Sequence, residues 1–158
     1  MSLVVALHNA SGDRIVAADA GLYDGFVRLD VGNEKVKKFG KILVGLCGDL
    51  MGAWPRLRDL EVESYMDVVG ALKDVDAHYM VSTPDGIVLG EGDSAVLLRD
   101  KFAAVGACSE FAYGFYDASK IGRFHDDEFS LLDDLFLAAS ERMTVCSSKY
   151  FRVTVKGA

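Results

Sequence analysis

Ser2-Leu3-Val4-Val5-Ala6-Leu7-His8 and Arg14-Ile15-Val16-Ala17-Ala18-Asp19 flank the short polar stretch Ala10-Ser11-Gly12-Asp13. Two nearly continuous apolar runs around turn-forming residues read as a β-hairpin. Neither run alternates strictly between apolar and polar, so both faces of the hairpin must be covered. A second sheet on one face and helices on the other would meet that requirement.

Working outward, a Gly-containing segment spans 19–32. A second strand pair is then predicted at 35–39 and 42–47, with Gly40-Lys41 as its two-residue turn. Gly48-Asp49 ends that strand and opens a helix. Asp49 is a competent N-cap, Leu50, Met51, Trp54, Leu57 and Leu60 recur at helical spacing, and Pro55 is placed in or near the first turn. Tyr65, Val68, Val69 and Leu72 continue as a second helix. From His78 the period returns to strands at 79–82, 87–91, 95–98 and 102–105, the first two joined by Thr83-Pro84-Asp85-Gly86. A helix over 110–119, another from an Asp126 or Asp127 cap to Arg142, and a strand over 150–155 complete the chain. Tightly turned strands give antiparallel sheets and the paired helices give outer layers. The expectation is an α+β, four-layer αββα sandwich formed by one domain, 1–158.

At 158 residues and 17.1 kDa, a chain of this length buries roughly 70% of its unfolded surface. Seventeen basic and 24 acidic side chains leave a net charge of −7, and the only basic run is Lys35, Lys37, Lys38, Lys41. That argues against nucleic acid as a partner. No apolar run approaches the ~20 residues of a membrane span, and the first residues lack a basic signal-peptide start, so a cytoplasmic, non-membrane protein is expected. Cys47, Cys108 and Cys146 form no CxxC pair and, with His8, His78 and His125, have no metal-ligand spacing. They read as packing or surface residues, and neither metal nor other cofactor is expected.

The sequence resembles proteasome β subunits and their HslV-type bacterial relatives, which are N-terminal-nucleophile (Ntn) hydrolases. The resemblance rests on Ser2-Leu3-Val4-Val5-Ala6-Leu7, Val16-Ala17-Ala18-Asp19, Glu34-Lys35-Val36-Lys37-Lys38-Phe39, Val44-Gly45-Leu46-Cys47-Gly48 and, more weakly, residues 106–114. It implies Ser2 as nucleophile with its own α-amine as base, Lys35 depressing the pKa of that amine, Asp19 holding Lys35, and the Gly48 N–H facing the oxyanion. It also implies a substrate pocket lined by Leu22, Asn33, Leu46 and Leu50, hence preference for an apolar side chain before the scissile bond. A homo-oligomeric ring, peptide or unfolded-protein substrates and an ATP-dependent unfoldase partner follow by the same resemblance.

The chain departs from the family pattern at three supporting positions, which here hold Ala107, Met143 and Cys146. Asp126, Asp127 and Glu141 are the nearby carboxylates that could stand in for the missing one. Met1 precedes Ser2, and its removal is required to free the amine. The main expectation is a serine-type endopeptidase subunit. The alternatives are a catalytically silent structural or assembly protein and a non-peptide amidase on the same fold. Apolar residues of the helices over 49–73, Trp54, Leu57, Leu60, Tyr65, Val68 and Leu72, are expected to reach an oligomer contact.

Overall fold

The computed structural model describes residues 2–24, 27–30, 35–122 and 127–157, with backbone alone at 22–24 and 27–30. The first hairpin is β1 (Leu3–His8) and β2 (Arg14–Asp19). A small hairpin, β3 (Gly21–Asp24) and β4 (Val27–Asp30), follows, then β5 (Val36–Phe39) and β6 (Ile42–Gly48). Helices α1 (Leu50–Leu57) and α2 (Tyr65–Leu72) lead to β7 (Ala77–Thr83), β8 (Gly86–Glu91), β9 (Ser94–Leu98) and β10 (Phe102–Gly106). Helices α3 (Ser109–Gly122) and α4 (Glu128–Arg142) precede β11 (Tyr150–Val155).

Two antiparallel sheets result, of order β10-β1-β2-β11 and β5-β6-β7-β8-β9, and β3-β4 pair separately. Three apolar layers show how they stack. Leu3, Val5, Leu7, Ile15 and Ala17 pack with Leu132, Leu135 and Phe136 of α4. Val44, Leu46 and Tyr79 pack with Leu57, Val68 and Leu72 of α1 and α2. Val4, Ala6, Val16 and Ala18 meet Leu43, Met80 and Ile87 between the sheets. Successive residues of β1 and β2 therefore alternate between a helix layer and the other sheet, which is why both strands are apolar throughout. The architecture is the expected α+β sandwich, helix pairs outermost.

The capping chemistry works as the sequence indicates. The Asp49 carboxylate accepts from Gly52 N at 2.9 Å, and the Asp127 carboxylate accepts from Phe129 N and Ser130 N at 2.7 and 2.8 Å. Between Thr83 and Gly86, paired across the β7–β8 turn, the Thr83 hydroxyl accepts from Asp85 N. Three details differ from expectation. Residues 19–32 contain a strand pair rather than a plain connection, with Asp24 opposite Val27. Pro55 lies in the second turn, inside α1. Leu57, Val68 and Leu72 are wholly buried against their own sheet, whereas Trp54, Leu60 and Tyr65 are half-buried; the large apolar side chains that α1 and α2 leave exposed are Met51, 85% exposed, and Met66, 58% exposed. Among the described residues no helix is long and apolar enough to cross a membrane.

Candidate active site

Asp19 ends β2 and is 1% exposed, one step beyond the inter-sheet residue Ala18. Four donors reach its carboxylate. Oδ1 accepts from Leu3 N at 2.8 Å and from Lys35 Nζ at 3.0 Å. Oδ2 accepts from Gly21 N at 3.2 Å and from Ser147 N at 3.4 Å. One oxygen thus ties the start of β1, next to Ser2, to the ammonium of Lys35.

Lys35 stands just before β5, its carbonyl accepting from Leu46 N at 2.8 Å. Its side chain is 1% exposed, and the ammonium also donates to the Gly21 carbonyl. A buried cation is tolerable only when paired and hydrogen-bonded, and the Asp19 carboxylate with the Gly21 carbonyl meets that condition. The charge is felt by neighbours: burial pushes the Cys47 thiol up to about 11, and Lys35 opposes that rise.

Ser2, 5% exposed, lines a cleft of about 470 Å³ with Cys47, Gly48, His78, Ala107 and Ser109. The two glycines at its edge are dictated by geometry. Gly48 has φ +97°, and a Cβ there would come within 2.9 Å of the Asp76 carbonyl. Gly106 has φ +101° and sits opposite Leu3, where a Cβ would be 2.0 Å from the Ser2 carbonyl oxygen. Both conformations are readily available only to glycine.

Ser2 and Gly48 thus share one cleft, while Asp19 and Lys35 form a buried pair bound to the residue after Ser2. Of the pocket residues, Leu50 lines a separate cavity of about 500 Å³ with Val36, Lys37, Met51, Trp54, Pro55 and Arg58. Leu46 has no exposed surface and packs with α1 and α2, so it lines neither cavity. The Leu22 side chain and Asn33 lie outside the described residues.

Ala107 is exposed in the Ser2 cleft, whereas Met143 and Cys146 pack into the core under α3 and α4. The Cys146 thiol contacts Cys108, and its pKa is raised by burial first and then by Asp19. Asp127 cannot replace the missing carboxylate. It lines a cavity with Leu7, His8 and Asn9, at the far end of β1, about 20 Å from Ser2 at the ordinary rise of a strand. Glu141 is exposed on the last turn of α4, and Asp126 lies outside the described residues.

Sequence reasoning missed Ser147, Gly106 and His78. Ser147 is fully buried and brings a fourth donor to Asp19, a contact across 128 positions that no local pattern announces. His78 lines the cleft and faces Glu91 at 3.6 Å.

No protein-family model matches the sequence, and no curated protein matches it. Solved structures do. A Thiobacillus denitrificans BPH in complex with epoxomicin superimposes with a TM-score of 0.77 at 18% identity, covering 99% of each chain. A second BPH structure of the same organism gives 0.73 at 19% identity, over 99% of this chain and 98% of that one. A eukaryotic HslV from Trypanosoma brucei gives 0.74 at 11% identity, over 98% of this chain and 99% of that one. With its two sheets, its helix layers and full-length superposition on these structures, the chain has the proteasome β/HslV-like Ntn-hydrolase fold.

Proposed function

We propose that this protein is an N-terminal-nucleophile hydrolase, a serine-type endopeptidase that works in a homo-oligomeric ring and takes unfolded polypeptide, delivered by an ATP-dependent unfoldase. The observation that carries the reading is the shared Asp19 oxygen, which binds both Lys35 Nζ and the amide next to Ser2. A buried lysine held beside a chain start has little structural purpose that an apolar residue would not serve better.

In this reading Met1 is removed and the Ser2 α-amine is free. Its ordinary pKa of ~7.7–8.0 leaves part of it neutral at physiological pH, able to take the Ser2 hydroxyl proton. The Lys35 ammonium favours that neutral form, and Asp19 fixes the lysine. The Ser2 oxygen attacks the peptide carbonyl, the Gly48 N–H stabilises the oxyanion, and the protonated amine then gives its proton to the leaving amine. A backbone donor of this kind is worth about 3 kcal/mol of transition-state stabilisation. Leu50, Trp54 and Met51 line the cavity best suited to an apolar substrate side chain, since Val36 and Leu50 adjoin Lys35 and Asp49 in sequence.

A second reading, a silent structural or assembly subunit, is favoured by a buried Cys146 and a half-buried Met143 in or against an apolar cluster, where a supporting hydroxyl and carboxylate are expected. The deciding experiment uses protein whose Met1 has been removed, verified by intact mass. Epoxomicin, the ligand of the BPH complex, should label Ser2, because closing its ring adduct needs a hydroxyl and a free α-amine on one residue. Absence of labelling and of peptide cleavage in processed, assembled protein would leave the silent reading standing.

A further inference from the structure

The end of the sandwich away from Ser2 holds a buried charge that this chemistry does not use. Val16 and Ala18 of β2 point between the sheets, so Arg14, two residues earlier, enters the same layer. Arg14 is 6% exposed. A guanidinium carries five N–H donors, yet among the described residues the side-chain bond it makes is from Nη1 to the Ser82 carbonyl at 3.2 Å. Among the described residues no carboxylate pairs with it. Burial pushes its pKa below the ordinary arginine value.

An uncompensated buried charge is costly, and here the surroundings add cations. Arg14 lines a cleft of about 690 Å³ with Lys41, Arg99, Lys101 and Lys156, contributed by turns of both sheets and the segment after β11. Lys156 is paired with Asp13 at 3.0 Å. Asp85 and Asp100 also line the cleft, both exposed, so the four remaining cations outnumber the carboxylates. His8 adds no charge at neutral pH. Its Nε2 meets the Ser82 hydroxyl at 2.8 Å, and burial, with Arg14 beside it, lowers its pKa to about 4. In a protein of net charge −7, this is a local concentration of positive charge around a guanidinium with spare donors.

We propose that this cleft binds a small phosphoryl-bearing molecule, one phosphoryl group seating against Arg14 with Lys41, Arg99 and Lys101 around it. A guanidinium matches a tetrahedral oxyanion through paired N–H donors, and lysines act as point charges about it. Four cations against Asp85 and Asp100 leave two positive charges in the cleft, which a phosphoryl group matches better than a single carboxylate does. The depth of Arg14 favours a small ligand over a nucleic-acid backbone. The site is independent of the hydrolase reading.

The test is calorimetric titration of the full chain with inorganic phosphate and with pyrophosphate, chloride holding ionic strength constant. The Nε–Hε resonance of Arg14 is followed in parallel. Saturable binding at about millimolar affinity or tighter, with that resonance shifting, is the expected result. Equal affinities assign a single phosphoryl group. Pyrophosphate about tenfold tighter assigns a ligand with a polyphosphate chain. The double variant Arg99→Ala/Lys101→Ala, both exposed turn residues, should weaken binding at least ~10-fold without changing the ligand-free melting temperature. Arg14→Lys should weaken it further if it folds. No saturation with either probe, an unmoved Arg14 resonance, binding unchanged in the double variant, or tighter binding of a short oligonucleotide than of pyrophosphate each overturns the proposal.

Discussion

Lys35 and Leu3 donate to the same oxygen of Asp19, at 3.0 and 2.8 Å, so the position of the buried ammonium and that of the chain start are set by one carboxylate. The arrangement makes the site and the stability of the fold interdependent. Lys35 is among the largest fully buried side chains of the protein.

The first prediction follows from that. Lys35→Met removes the Asp19 partner and leaves a buried carboxylate, so unfolding free energy should fall by about 3–5 kcal/mol. The double variant Lys35→Met/Asp19→Asn should lose less than the sum of the two single changes, as for groups in direct contact. Urea titrations of the four proteins check this, and additive losses would contradict the pairing.

Ser2→Ala should abolish epoxomicin labelling and peptide cleavage while leaving the melting temperature unchanged. Lys35→Arg, which keeps the charge, should still lower the rate by at least ~100-fold through lost positioning, read in the folded fraction. A Ser2→Ala protein that still cleaves peptides at the wild-type rate ends the nucleophile assignment.

Gly106→Ala places a Cβ against the Ser2 carbonyl, and Gly48→Ala places one against Asp76. Each should destabilise by about 1–3 kcal/mol from positive φ alone. Gly106→Ala should also displace Ser2. Activity should therefore fall at temperatures where circular dichroism reports both variants folded.

The pH dependence of stability has a signature at the other end. His8 is half-buried beside Arg14, and its folded pKa drops from 6.5 to about 4. The neutral ring is favoured in the fold, so its stability contribution is complete above about pH 6.5 and lost as pH falls towards 4. His8→Gln, which can keep a bond to Ser82, should flatten the fall in urea midpoint between these pH values. An unchanged slope excludes His8 as its source.

Oligomerisation is expected to use what α1 and α2 leave exposed. Light scattering should give a multiple of 17.1 kDa, and Met51→Glu/Met66→Glu should shift it towards the monomer. A wild-type monomer at micromolar concentration removes the ring from the proposal.

Much of this architecture was legible because strand periodicity and turn chemistry are local. Asp49 and Asp127 cap the helices they precede, and Thr83-Pro84-Asp85-Gly86 turns where its composition indicates. The β3–β4 hairpin was missed because two four-residue strands give too short a pattern, although Asp24-Gly25 is a turn signal. The apolar faces of α1 and α2 were read as surplus, yet a five-stranded sheet consumes Leu57, Val68 and Leu72 entirely. In the site, Ser2, Asp19, Lys35 and Gly48 stood out only through family resemblance. Ser147 escaped because its amide reaches Asp19 from a distant connection, and Arg14 because nothing in a sequence says that an arginine will lack a carboxylate.

Gly157 is fastened to the first hairpin, its amide donating to Asp13 at 2.7 Å, at the pole opposite Ser2. Gly157 therefore lies far from the Ser2 cleft and lines the cationic one. A label attached at Gly157 is expected to leave the Ser2 cleft unobstructed while shading the Arg14 mouth. A fusion ahead of Ser2 would do the reverse, capping the amine and leaving the anion cleft open. Ser2 and Gly157 thus offer independent handles on the two clefts.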